Sequence, residues 1–423
     1  MQIAVIGAGA AGLVVGRRLV EDMPGADFTI FERTDSVGGT WVYTEEQFKD
    51  KYGLPIHSSM YKSLRTNLPK ETMEYFGFPY DKTHEGISYL NAADIVRYLE
   101  QFAKHFELIE KIKFNHHVTS VMPLPNNRWR ITVTDLPKDS EKQCEFDAIF
   151  VCNGHLHCPN HIKIEGQDVF SGFQLHSHHY RKPEPYTDKN VLVIGSGPSG
   201  TDLSVELSTV AQNVYLSHHD PTMDQIVFPE KVTKKPDVLR LNNDSVDFVD
   251  GSTSDIDAIL YCTGYKMNMP FLTPECGLEI TDHSVSPLFF HMVNINIPTM
   301  FFIGLVNKSF LFPLFEMQAE FCTKTLNGYI SLPPKEDMLK WWQAENSQVQ
   351  LRQKKPHYIG NAIKEYHDFI HKFANTNIYD PVVFKIYKDS SSRKKSHFLN
   401  YRSDVYTVID AENFRRINLD GIE

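Results

Sequence analysis

The feature that most constrains this chain is a glycine-rich turn that occurs twice. The apolar run Ile3-Ala4-Val5-Ile6 predicts a strand buried on both faces. It leads directly into Gly7-Ala8-Gly9-Ala10-Ala11-Gly12, and Leu13 to Val20 then reads as a helix. In a strand, G-x-G-x-x-G, helix context each glycine has its own task. Gly7 permits the tight turn, Gly9 lets the backbone approach a pyrophosphate, and Gly12 lets the helix pack closely on the strand. Ala10 and Ala11 open the helix, whose unpaired N–H groups and positive end attract phosphate. A second strand, Phe28 to Phe31, ends in Glu32, twenty residues past Gly12, where a carboxylate accepts hydrogen bonds from ribose hydroxyls.

The pattern recurs where Asn190 to Ile194 runs into Gly195-Ser196-Gly197-Pro198-Ser199-Gly200 and a helix continues from Thr201 to Val210. Two such units imply one chain holding two dinucleotides. The fold class expected is α/β, with two Rossmann-like dinucleotide-binding domains, the second inserted in the first. The second unit's next strand, Val214 to Leu216, ends in Ser217-His218-His219 with no carboxylate. That absence tolerates a 2′-phosphate, as on NADP.

Composition narrows the setting. At 423 residues, with 41% hydrophobic and 23% charged residues, the chain fits a soluble globular protein of two or three domains. A net charge of −10 disfavours nucleic acid and anionic membrane as partners. The longest basic run, Arg393 to Lys395 behind three serines, reads as a solvated loop. The best candidate span, Ile297 to Phe315, is interrupted by Asn307, Lys308 and two prolines, so no membrane segment is expected. The chain opens on a core strand with no room for a signal peptide and closes on polar residues. A cytoplasmic setting is the expectation, with secretion after processing as the alternative. None of the six cysteines forms C-x-x-C, so neither a disulfide framework nor a zinc knuckle is indicated.

Between the two turns lies Phe170-Ser171-Gly172-Phe173-Gln174-Leu175-His176-Ser177-His178-His179-Tyr180. This resembles the identifying F-x-G-x-x-x-H-x-x-x-[YF] pattern of the flavin-containing (class B) monooxygenases. Further matches are Gly38-Gly39-Thr40-Trp41, Asn67-Leu68-Pro69-Lys70-Glu71, Tyr261-Cys262-Thr263-Gly264-Tyr265 and Phe301-Phe302-Ile303-Gly304-Leu305, in family order. Within the family the chain is similar to a soluble insect branch that includes pyrrolizidine-alkaloid N-oxygenases.

The resemblance implies FAD on the first turn and NADP(H) on the second. Residues 1–165 and 283–423 would form a discontinuous FAD-binding domain, and 166–282 an inserted NADP-binding domain. NADPH would reduce the flavin, and dioxygen would then give a C4a-hydroperoxyflavin that a tertiary amine or sulfide attacks. The cofactor carries the hard chemistry, so no Ser-His-Asp or Cys-His constellation is needed. Asn67 would be the catalytic residue, an amide that donates and accepts while neutral. Gly39, Trp41, Gly304 and Gln318 would contact FAD; Ser217, His218, Thr263 and Gly264 would lie on the NADP side. His176 and Tyr180 would be hydrogen-bonding groups near NADP. The family usually places an arginine just past the second domain's second strand, where this chain has His218 and His219. One of these, or Lys231, Lys234 or Lys235, would have to receive the 2′-phosphate. The partners implied are O2 and a small nucleophilic substrate, and a homo-oligomer is left open.

Rival readings have specific weaknesses. A flavin disulfide reductase needs a vicinal dithiol, and Cys152 and Cys158 are separated by five residues. A Baeyer–Villiger enzyme's motif ends in Trp-Pro, whereas this one ends in Tyr180-Arg181. The histidines crowded between His155 and His179 match no standard zinc spacing. A non-catalytic nucleotide-sensing flavoprotein would show no substrate-dependent NADPH loss.

Overall fold

In the computed structural model, which describes residues 1–307, 309–351 and 355–418, two largely parallel sheets carry the two turns. The polar residues 419–423, expected to close the chain, and Lys308 in the apolar stretch lie outside the described residues. The first sheet runs in the order Leu288–Phe289, Val293–Asn294, Met300–Phe302, Ala148–Val151, Gln2–Ile6, Asp27–Phe31, Ile112–Lys113. Its inner pairings are parallel, and the first two strands add an antiparallel edge.

Side chains alternate across the central strand as a period of two requires. Ile3 and Val5 join the core beneath the Ala10–Asp22 helix, with Leu13 and Val14. Ala4 and Ile6 face the opposite way, against Trp129, Ile131 and Val133 of an antiparallel three-stranded sheet. The second parallel sheet orders Val232–Lys235, Asn213–Ser217, Asn190–Ile194, Ala258–Tyr261, Phe173–His176. Val191 and Val193 fill one side of it, Leu192 and Ile194 the other.

The C-terminal part covers both sheets' neighbourhoods. Helices Lys335–Leu351, Ile363–Ala374 and Pro381–Ser396 are followed by a hairpin of Asp404–Val408 and Phe414–Asn418. Apolar residues at helical spacing, Ile363, Tyr366 and Ile370, are buried with Ile359 just before the helix, and Phe373 is partly buried. One expectation fails here. Arg393 to Lys395 are not in a solvated loop; they form the last turn of Pro381–Ser396. Arg393 is buried and donates to Asp404 Oδ2 at 2.9 Å. A helix C-terminus favours cations, and the three preceding serines, weak helix formers, concealed the helix. Among the described residues, no helix is long and apolar enough to cross a membrane.

Candidate active site

The two turns share the geometry of their first and last glycines. Gly7 sits at φ +103°, and a Cβ there would stand 2.6 Å from the Cys152 carbonyl oxygen. Gly195 sits at φ +106°, and its Cβ would stand 2.6 Å from the Cys262 carbonyl oxygen. A Cβ on Gly12 would meet Gly7 O at 1.8 Å, and one on Gly200 would meet Gly195 O at 1.8 Å. The helices Ala10–Asp22 and Pro198–Leu207 start at Gly9 and Gly197 with no side-chain cap and no acidic residue in the first turn. Their first N–H groups are thus left to an external acceptor, and each cradle fits a diphosphate. Gly9 faces Gly39: a Cβ on Gly39 would lie 3.0 Å from Gly9 Cα, so the G-G-T-W segment folds over the first turn. Trp41 is half-buried and meets Phe312 edge-on, with ring centroids 6.4 Å apart.

Register makes His218 the counterpart of Glu32. Ile6 pairs with Phe31 and Ile194 with Ser217, one residue before each. The buried Glu32 carboxylate accepts from Ala8 N–H and Thr34 N–H, both at 2.8 Å. His218 Nδ1 is buried and has no partner. Ser217 Oγ donates to Pro236 O at 2.8 Å. Of the alternative phosphate ligands, Lys231 donates to Ala211 O and Lys234 to the carbonyls of Met223, Asp224 and Ile226. Lys235 donates to Ser252 Oγ, and His219 is exposed beside Asp237. Ser199 is half-buried in the first turn of the helix.

The motif between the turns ties the two sheets together. Phe170 is buried, and Gly172 has room for no Cβ, which would lie 2.4 Å from Asp257 O. His176 Nδ1 accepts from His178 N–H at 3.1 Å, which puts its proton on an unpartnered, buried Nε2. Burial, reinforced by neighbouring histidines, lowers His176 to about 3 and His178 to about 4, so both are neutral. The two chain crossings run side by side: Cys158–Pro159 pairs with Tyr265–Lys266, and Thr263 Oγ1 donates to Asn160 O at 2.6 Å. Gly264, at φ +81°, turns the second crossing. Among the described residues, no three His, Cys, Asp or Glu side chains are grouped to hold a metal.

Asn67 is exposed, in a loop held by its neighbours. Thr66 N–H donates to Leu90 O at 2.7 Å, and Lys70 N–H to Ser88 O at 2.6 Å. Gln318 is fully buried, with Oε1 accepting from Gly304 N–H at 3.0 Å and Nε2 donating to Tyr366 Oη at 3.0 Å. Its reach toward a cofactor therefore runs through Gly304. Phe310 and Phe312 are buried in the core beneath the first fold's helix.

Sequence reasoning missed Arg181. Its buried guanidinium donates to the carbonyls of Glu46, Ser58, Met60, His178 and Tyr180 at 2.8–3.4 Å. It also missed Asp202, Tyr61 and Arg402, which meet across the two folds. The only prior signal was an arginine just after the motif, and partners so distant in sequence leave no local pattern.

A profile of the flavin-binding monooxygenase-like family matches residues 1–223 and 219–392. Senecionine N-oxygenase of Tyria jacobaeae is 33% identical over 425 residues, covering 98% of this chain and 91% of its own. Flavin-containing monooxygenase FMO GS-OX-like 4 of Arabidopsis thaliana is 32% identical, covering 95% and 93%. The structure of S-allyl-L-cysteine S-oxygenase from Allium sativum superposes with TM-score 0.88 at 33% identity, covering 95% of this chain and 94% of that one. The paired turns, the linker motif and these full-length likenesses together show that the chain belongs to the flavin-binding monooxygenase family, an enzyme that takes an FAD cofactor and acts with O2 on a small molecule.

Proposed function

We propose that this enzyme places one oxygen atom of O2 on a tertiary amine nitrogen or a thioether sulfur, with NADPH as reductant. The observation that carries the reading is two turns with the same glycine geometry whose following strands end differently, in Glu32 and in Ser217-His218. A carboxylate prefers free ribose hydroxyls and suits FAD; an imidazole with an unpartnered nitrogen accommodates a 2′-phosphate. On this reading the first turn, with Gly39, Trp41 and Gly304, holds FAD. The second turn, with His218, Thr263 and Gly264, holds NADP(H). Residues 1–165 and 283–423 are the FAD-binding domain and 166–282 the inserted NADP-binding domain. In support, the strands of the first sheet come from the former ranges and those of the second from the latter.

The bound flavin supplies hydride acceptance and oxygen activation. NADPH, a proton, O2 and the nucleophile become NADP⁺, water and the oxide. The chain's own residues hold and shield the reactants. Asn67, exposed in its loop, offers an amide N–H2 donor group and a carbonyl acceptor without charge. Trp41 and Phe312 present apolar surface that excludes water. Burial pushes the Cys152 thiol, behind the first turn, well above its ordinary value and keeps it protonated. The relatives' names include an N-oxygenase and an S-oxygenase. Both likenesses are near full length at 33% identity, so the amine and the thioether stand together as substrate classes.

The test presents the holoenzyme with NADPH, air and, in turn, a tertiary amine, a thioether and a cyclic ketone. An N-oxide or sulfoxide without lactone is expected. Lactone as the main product, or NADPH loss yielding peroxide alone, overturns the reading.

A further inference from the structure

The loop that carries Asn67 belongs half to each fold. Tyr61 is buried in the core cluster of the second fold with Leu175, Val191 and Leu203, and Leu64 packs against it. Thr66 and Lys70 are instead fastened to Leu90 and Ser88 beside the first fold. Asn67 therefore stands where the loop crosses from one fold to the other.

One carboxylate and one guanidinium bridge that crossing. Asp202, on the Pro198–Leu207 helix, accepts from Tyr61 Oη at one oxygen and from Arg402 Nη1 at the other, the latter at 2.5 Å. Arg402 Nε donates to Thr66 O at 3.1 Å, the carbonyl immediately before Asn67, and Nη2 donates to Arg65 O at 3.3 Å. Ser63 Oγ adds a bond to Glu206 Oε1, one helical turn beyond Asp202. Asp202 and Arg402 side chains are about one-fifth exposed, so solvent screens the pair only in part. The planar guanidinium fixes three acceptors at once, which a lysine ammonium on a flexible stem does not reproduce.

We propose that Asp202 and Arg402 are positioning residues that set Asn67 against the second dinucleotide turn, and so decide whether oxygen reaches substrate or escapes as peroxide. The inference rests on the reading of Asn67 and NADPH given above. In a misdirected turnover NADPH, a proton and O2 become NADP⁺ and hydrogen peroxide, with no substrate oxidised.

The test compares full-length wild type, Asp202→Asn, Arg402→Lys and the double variant. The first readout is amide hydrogen exchange of peptides spanning Tyr61–Lys70, with and without cofactors. The second is peroxide released per NADPH consumed with a saturating tertiary amine. Each single variant is expected to speed exchange in that loop at least tenfold and raise the peroxide ratio at least fivefold, with the amine's KM within twofold. The double variant should be no worse than either single one, because the residues act as one unit. Exchange in Pro198–Leu207 should stay unchanged; faster exchange there as well marks general loosening and overturns the proposal. Unchanged loop exchange, or faster exchange with unchanged peroxide, overturns it too, as does full rescue by Arg402→Lys. If wild type itself makes only peroxide, the functional reading falls, while the exchange result still decides the bridge.

Discussion

The carbonyl oxygen of Cys152 occupies the space that a side chain on Gly7 would need, 2.6 Å from its Cβ position. The relationship repeats between Cys262 and Gly195, so the two turns can be perturbed separately. Gly7→Ala adds overpacking to a φ that disfavours any side chain, a cost of about 2–4 kcal/mol. It should yield protein with little bound flavin and a lowered melting temperature. Gly195→Ala should retain flavin and lose reduction by NADPH. Flavin absorbance per protein and anaerobic bleaching by NADPH check the pair.

The counterpart relationship of Glu32 and His218 makes a prediction about reductant choice. His218→Arg supplies a charged donor for a 2′-phosphate and should raise the NADPH-over-NADH ratio of kcat/KM by about tenfold, equivalent to about 1.4 kcal/mol. His218→Glu should reverse the preference. Steady-state kinetics with both nucleotides decide it; equal ratios in all three proteins would remove His218 from the reductant site.

Much of this was legible because the informative pieces are local. The strand, glycine turn and helix at residues 3–22 and 190–207 follow from apolar runs and from glycines that nothing else replaces. The linker from Phe170 to Tyr180 was readable as a contiguous pattern. The parts that escaped depend on contacts between distant segments. Nothing local to Lys234 says that its ammonium is taken by three carbonyls, and nothing near Arg402 points to Thr66 or Asp202. The basic run at Arg393 looked solvated because its buried partner, Asp404, lies beyond the end of the helix.

Arg181 should be a strong stability determinant. Five carbonyls converge on it from the Glu46–Met60 segment and its own turn. Arg181→Met removes these charge-assisted bonds and leaves the acceptors buried, a loss of at least about 3 kcal/mol. Denaturant unfolding of the apoprotein should show a lower midpoint, and a shift under about 1 kcal/mol would contradict the structural role.

Glu74 gives the protein a pH dependence of a defined sign. Burial, with the Glu71 carboxylate nearby, raises its pKa to about 7 against hydrogen bonding from Tyr80 N–H and the charge of Lys70. A carboxyl raised on folding binds its proton more tightly in the folded state. Stability from this group is therefore full below its unfolded value and falls as pH rises to about 7. Glu74→Gln should be neutral at pH near 4 and stabilising by about 2 kcal/mol at pH near 8. Unfolding curves at both pH values, compared with wild type, test the sign.

The central claim is that an atom of molecular oxygen ends on a soft nucleophile. The most direct measurement is turnover of a tertiary amine with NADPH under ¹⁸O2, with mass spectrometry of the product. The account predicts an N-oxide carrying one ¹⁸O atom, formed nearly one-to-one with NADPH consumed. Product without the label, or NADPH consumed with peroxide as the sole oxygen product, would contradict it.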